Sequence, residues 1–150
     1  MKKEKFDKYY ANNEHFRLTN PNPRWKEQKG YVWDTCDCSV RALANAIRST
    51  WMEAFDFLVE KAKRDFSIPN DLHDYRKWLI ENGAVWTYLK PERGKKRMTC
   101  EEFAKTHPTG RYVINVNHHD TACVDGVLLD TWNPSRDYVY GYLDMGNFKM

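Results

Sequence analysis

At 150 residues, 41% of them hydrophobic and 15% aromatic, the chain reads as one globular domain able to bury roughly 70% of the surface its unfolded form exposes. The formal charge is +3, and the whole excess falls in residues 1–36, with eight basic and five acidic side chains, while residues 37–150 carry sixteen of each. That balance excludes the strongly basic face of a typical nucleic-acid binder, and no apolar run approaches the ~20 residues that span a bilayer. The start, MKKEKFDKYY, has charge but no hydrophobic signal core, so the expected setting is the cytoplasm, away from membranes. Cys36, Cys38, Cys100 and Cys123 are then expected as reduced thiols.

Residues 1–33 are polar and punctuated by TNPNPRWK, which favours turns and extended backbone; Phe6, Tyr9 and Tyr10 suit one face of a short helix. This stretch is expected to be an arm lying over a core formed by residues 34–150. From Asp37, as N-cap, the pattern turns helical: Val40, Leu43, Ala44 and Ile47 recur at helical spacing, predicting a helix from 38 to about 48. Thr50 and Glu53 form a capping box opening a second helix through Phe55, Leu58, Val59 and Ala62. A third follows PND, points Leu72, Tyr75 and Leu79 inward and stops before Gly83.

After Gly83 the period changes. AVWTYLK reads as a strand, PERGKKRM as an exposed basic loop, and TCEE as the cap of a short helix ending near HPTG. RYVINV, TACV, VLLDTW and YVYGYL then read as strands, with Asp125-Gly126 as a two-residue hairpin turn. Helices first and antiparallel strands second predict an α+β domain with N-terminal helices packed on a C-terminal antiparallel sheet.

Cys38 falls at the first helical turn, where unpaired N–H groups and the helix dipole favour a thiolate; Cys36 does not. Of the five histidines, His118 and His119 lie in the strand region. With a two-residue turn at 125–126, Val124 opposes Val127, Thr121 opposes Asp130 and His119 opposes Trp132. His119, Thr121, Asp130 and Trp132 then share one face, with Asp130 diagonal to His119, while His118 points away. A single extra turn residue would exchange the two histidines. Cys38, His119 and Asp130 would supply nucleophile, base and orienting group of a thiol acyl-transfer site.

DCSVRALA, HDTACVDGVLLDTW and the preceding GRYVINV, in that order, resemble the papain-like cysteine peptidases, especially compact bacterial and phage versions related to bacteriocin-processing peptidases. The resemblance spans about residues 34–133, and the D-C-x-x-R-A segment is similar to one in small phage-encoded proteins. It implies a papain-like catalytic domain over 34–150. It further implies hydrolysis of a peptide, isopeptide or related amide bond, on a protein or peptide substrate in the cytoplasm, the host's if phage-encoded. Papain-like enzymes often carry a glutamine several residues before the cysteine to bind the oxyanion. GYVWDTC has none, which leaves Thr35 and Gln28, ten residues upstream, as candidate donors beside the Cys38 N–H.

Other readings stay open. Cys38 also suits a buried structural thiol, Asp130 a solvent-facing strand end, and Asn133 a rival orienter, because papain itself uses an asparagine. Arg41 suits a pairing with a carboxylate or a backbone carbonyl. The C-x-C and H-H spacings differ from usual zinc sites, so neither metal nor cofactor is expected. The basic loop reads as a solvated turn rather than a phosphate contact. Two alternatives to hydrolysis use the same residues: a papain-like scaffold kept as a phage module that binds a host protein, and transglutaminase-like acyl transfer.

Overall fold

A computed structural model describes residues 2–25 and 34–150. The elements run α1 (Lys3–Tyr10), β1 (Phe16–Leu18), α2 (Cys38–Ile47), α3 (Trp51–Asp65), α4 (Leu72–Glu81), β2 (Val85–Tyr88), α5 (Cys100–Thr106), β3 (Arg111–Val116), β4 (His119–Val124), β5 (Val127–Asp130) and β6 (Gly141–Asp144). The domain is therefore α+β, with five helices and one six-stranded sheet among the described residues, the strands in the order β1-β5-β4-β3-β6-β2. Among the described residues no helix is long and apolar enough to cross a membrane.

Local chemistry accounts for most of these boundaries. Thr50–Glu53 and Thr99–Glu102 both close reciprocal capping boxes at the starts of α3 and α5. Asp71 caps α4 by accepting from the His73 and Asp74 N–H groups. Asp125 and Gly126 both take positive φ, 49° and 75°, so the β4–β5 connection has the mirror-image turn whose twist matches the strands. Val124 pairs with Val127 across it.

Two expectations need correction. The sheet is mixed, not purely antiparallel, because β1 joins its edge in parallel with β5, Phe16 opposite Leu128. The arm thus donates a strand, and Phe16 is fully buried. Second, helices cover both faces. Val113, Ala122 and Leu143 pack against α2, α3 and α4 around Leu43, Leu58 and Trp78. Their neighbours Ile114, Val116 and Cys123 pack with Phe103 of α5 and with Phe16 on the other side. Both faces of β3 and β4 are apolar, so a one-sided helical layer would leave half of that surface in water. The last strand also begins later than YVYGYL suggests: Val139 and Tyr140 bond outward to the Met98 and Asn115 carbonyls before β6 starts at Gly141.

Candidate active site

Cys38 is the first residue of α2, where backbone N–H groups have no partner inside the helix. Asp37 occupies the cap position, but its carboxylate accepts no helix N–H, contrary to expectation. Four other donors take it: Arg41 Nε at 2.8 Å, Asn22 Nδ2 at 2.8 Å, Trp51 Nε1 at 2.6 Å and the Thr35 hydroxyl. Burial by itself would push the Asp37 pKa up; these hydrogen bonds and the Arg41 charge hold it below the ordinary carboxylate value. Capping falls instead to Asn70, from the loop before α4. Its Oδ1 accepts from the Ser39 N–H at 3.2 Å and the Ser39 hydroxyl at 2.6 Å, and lies 3.9 Å from the Cys38 sulfur.

The imidazole comes from the sheet. His119 opens β4, and its Nε2 lies 2.7 Å from Asp130 Oδ2 at the end of β5. The Trp132 ring tilts against it, with centroids 5.2 Å apart. Cys38 acts electrostatically on the same imidazole, whose Nε2 is already engaged by Asp130. Burial alone would lower the His119 pKa; the hydrogen bond to Asp130 and the charges of Asp130 and Cys38 outweigh it and raise the value to about 10. The ring is therefore an imidazolium at neutral pH, held between a carboxylate and a sulfur.

Asp130 is itself fixed. It is 4% exposed, and Oδ1 accepts from the Thr131 N–H at 2.7 Å and from Arg41 Nη1 at 3.3 Å. Arg41 Nη1 also donates to the Thr131 hydroxyl at 2.8 Å, and Nη2 reaches Asp34 at 2.9 Å. The guanidinium therefore ties the first turn of α2, which carries the sulfur, to the end of β5, which carries the carboxylate that holds the imidazole.

The remaining candidates lie elsewhere. Thr35 spends its hydroxyl proton on Asp37 and accepts from Asn20. Gln28 falls outside the described residues. Asn133 turns its Oδ1 to the Ser135 N–H and hydroxyl. His118 is exposed at positive φ in the β3–β4 turn, and Cys36 is exposed.

Two neighbouring residues escaped the sequence reading. Asn70 reaches the thiol from a loop 32 positions downstream, and neither spacing nor period announces such a contact. Asp120 follows His119 and is 5% exposed, with Oδ1 accepting from Asn115 Nδ2 at 3.1 Å. Burial pushes its carboxyl from 3.8 up to about 6, against the hydrogen bond from Asn115 and the charges of His119 and Arg76. A folded-state pKa raised above the unfolded one contributes stability that is whole below the unfolded value and lost as pH climbs through the folded one. Ionised Asp120 thus burdens the fold above pH 6. Asp120→Asn is expected to gain about 2–3 kcal/mol at neutral pH, shrinking toward nothing on acidification through the ordinary Asp range. Urea unfolding of both proteins at the two ends of that range measures it, and an equal gain at both ends contradicts the burial argument.

Compared with known proteins, the chain matches no family model, no curated protein and no solved structure, so its chemistry is read from the geometry of Cys38, His119 and Asp130.

Proposed function

We propose that the protein is a cysteine hydrolase of papain-like arrangement that cleaves a peptide, isopeptide or related amide bond through a thioester. The observation that carries this reading is a single imidazole that is hydrogen-bonded to the buried Asp130 and interacts electrostatically with the helix-start Cys38. The Cys38 thiolate attacks the carbonyl carbon, and the His119 imidazolium gives its proton to the departing amine. The now neutral imidazole then takes a proton from water, which attacks the thioester and releases the acid. Asp130 holds the ring in place throughout. Negative charge on the tetrahedral oxygen is met by the Cys38 N–H and by the Asn70 carboxamide. The Asn70 oxygen is held by Ser39, leaving its NH₂ as the donor.

The test is direct. Cys38→Ala is expected to abolish both labelling by a peptidyl thiol-directed electrophile and turnover of peptide nitrophenyl esters, while Cys36→Ala retains both. Labelling that survives Cys38→Ala removes the nucleophile. Release of ammonia from glutamine peptides only when an amine is present would redirect the same chemistry to acyl transfer.

A further inference from the structure

Asn70 lies against the thiol, and α4 begins two residues later. Between the first turns of α4 and the sheet is a cavity of about 140 Å³, lined by Leu72, Tyr75, Arg76, Trp86, Asn115 and Asp120 among others. Tyr75, fully buried, lines this cavity beside Asp120, and its electrostatic neighbours include Cys38 as well as Asp120. Its hydroxyl has no hydrogen-bond partner among the described residues.

Asp120 is the unusual wall. One oxygen accepts from Asn115; the other accepts no hydrogen bond and forms no ion pair among the described residues, although the charges of His119 and Arg76 act on the carboxylate. Arg76 completes no such pair, because its guanidinium lies over the Trp86 ring at 4.3 Å from the centroid. A buried carboxylate with an open side is costly unless a donor or cation completes it. Its pKa of about 6 still leaves it mostly ionised at neutral pH.

We infer that this cavity is a substrate side-chain pocket for a basic residue, whose ammonium or guanidinium completes Asp120 while the neighbouring backbone carbonyl lies at Cys38. The inference rests on the reading of Cys38 as the nucleophile and adds the substrate class. A neutral apolar side chain would leave Asp120 unpartnered, and an acidic one would oppose it.

Disulfide exchange at Cys38 tests the pocket without requiring the scissile sequence. The protein is equilibrated with disulfides whose alkyl tails, of graded length, end in an amine, a hydroxyl or a carboxylate, against a fixed excess of reduced mercaptoethanol. Cys38 conjugates are counted by mass spectrometry with fragmentation that separates them from Cys36. At the length that reaches Asp120, the amine conjugate is expected to exceed the hydroxyl one by about tenfold, with the carboxylate lowest. Asp120→Asn is expected to remove the preference, and Asp120→Glu to move it to a tail one methylene shorter. Equal amine and hydroxyl occupancy at every length overturns the pocket while leaving the nucleophile standing, as does a preference that persists unchanged in Asp120→Asn. A Cys38 that accepts no tail of any kind overturns the nucleophile and the pocket with it.

Discussion

Replacing His119 with glutamine is expected to slow alkylation of Cys38 by iodoacetamide at pH 6 by between about tenfold and a hundredfold. In the native protein the imidazole stays protonated until pH approaches about 10, because its hydrogen bond to Asp130 and the charges of Asp130 and Cys38 overcome the burial that would lower its pKa. A cation beside the sulfur favours the thiolate, the only form that reacts. Glutamine keeps polarity and bulk but carries no charge, and an ordinary thiol at pH 6 is only about one part in three hundred thiolate. The lower bound of the range arises because a stabilised thiolate is a weaker nucleophile than a free one. The two proteins should also differ in the shape of the response. The variant rate is expected to climb about tenfold per pH unit below the ordinary thiol pKa, and the native rate, with a cation beside the sulfur, to climb less steeply, so the gap narrows as pH rises. Parallel profiles for the two proteins would separate the histidine from the sulfur and end the case for a working pair.

The parts of this arrangement that were legible in the sequence are those set by local chemistry. The start of α2 at Cys38 follows from its apolar spacing, and the alignment of His119 with Asp130 follows from one dipeptide. Asp125-Gly126 can turn the chain in two residues with both φ angles positive, and this fixes every pairing back along β4 and β5. Long-range contacts were not legible. β1 is three residues long, too short to show any period, and its partner Leu128 lies 112 positions away from Phe16. Asp37 has the identity and position of a cap. Its side chain turns instead to Thr35, Asn22, Trp51 and Arg41, because charge-assisted and indole donors converge on it from four sides. Asn70 then fills the vacated role from a loop that no helix rule connects to α2. The cover over the second sheet face was visible in principle, since VINV and TACV are apolar on alternate and intervening positions alike.

Arg41→Leu is expected to cost about 3–5 kcal/mol of folding free energy. The side chain is 4% exposed and its fork holds Asp37, Asp130 and Thr131 inside the fold and Asp34 at its edge. Leucine fills part of the volume but leaves Asp130 buried with one cation where it had two, and Asp37 without its charged partner. The cost comes mainly from that stranded negative charge, and only secondarily from the guanidinium hydrogen bonds that leucine cannot make. Two comparisons isolate it. Arg41→Lys keeps the charge, yet a single ammonium cannot place donors on Asp37, Asp130 and Thr131 together, so more than half of the loss should remain. Asp34→Asn removes the half-exposed partner, at 50% side-chain exposure, and should cost no more than about 1 kcal/mol. Urea unfolding with an unchanged denaturant slope measures all three. A lysine variant as stable as the native protein would mean that simple charge balance suffices. The clamp joins the turn bearing Cys38 to the strand end bearing Asp130, so loss of the fork should also slow Cys38 alkylation in variant molecules that remain folded. The same guanidinium would then set both the stability of the domain and the approach of sulfur to imidazole.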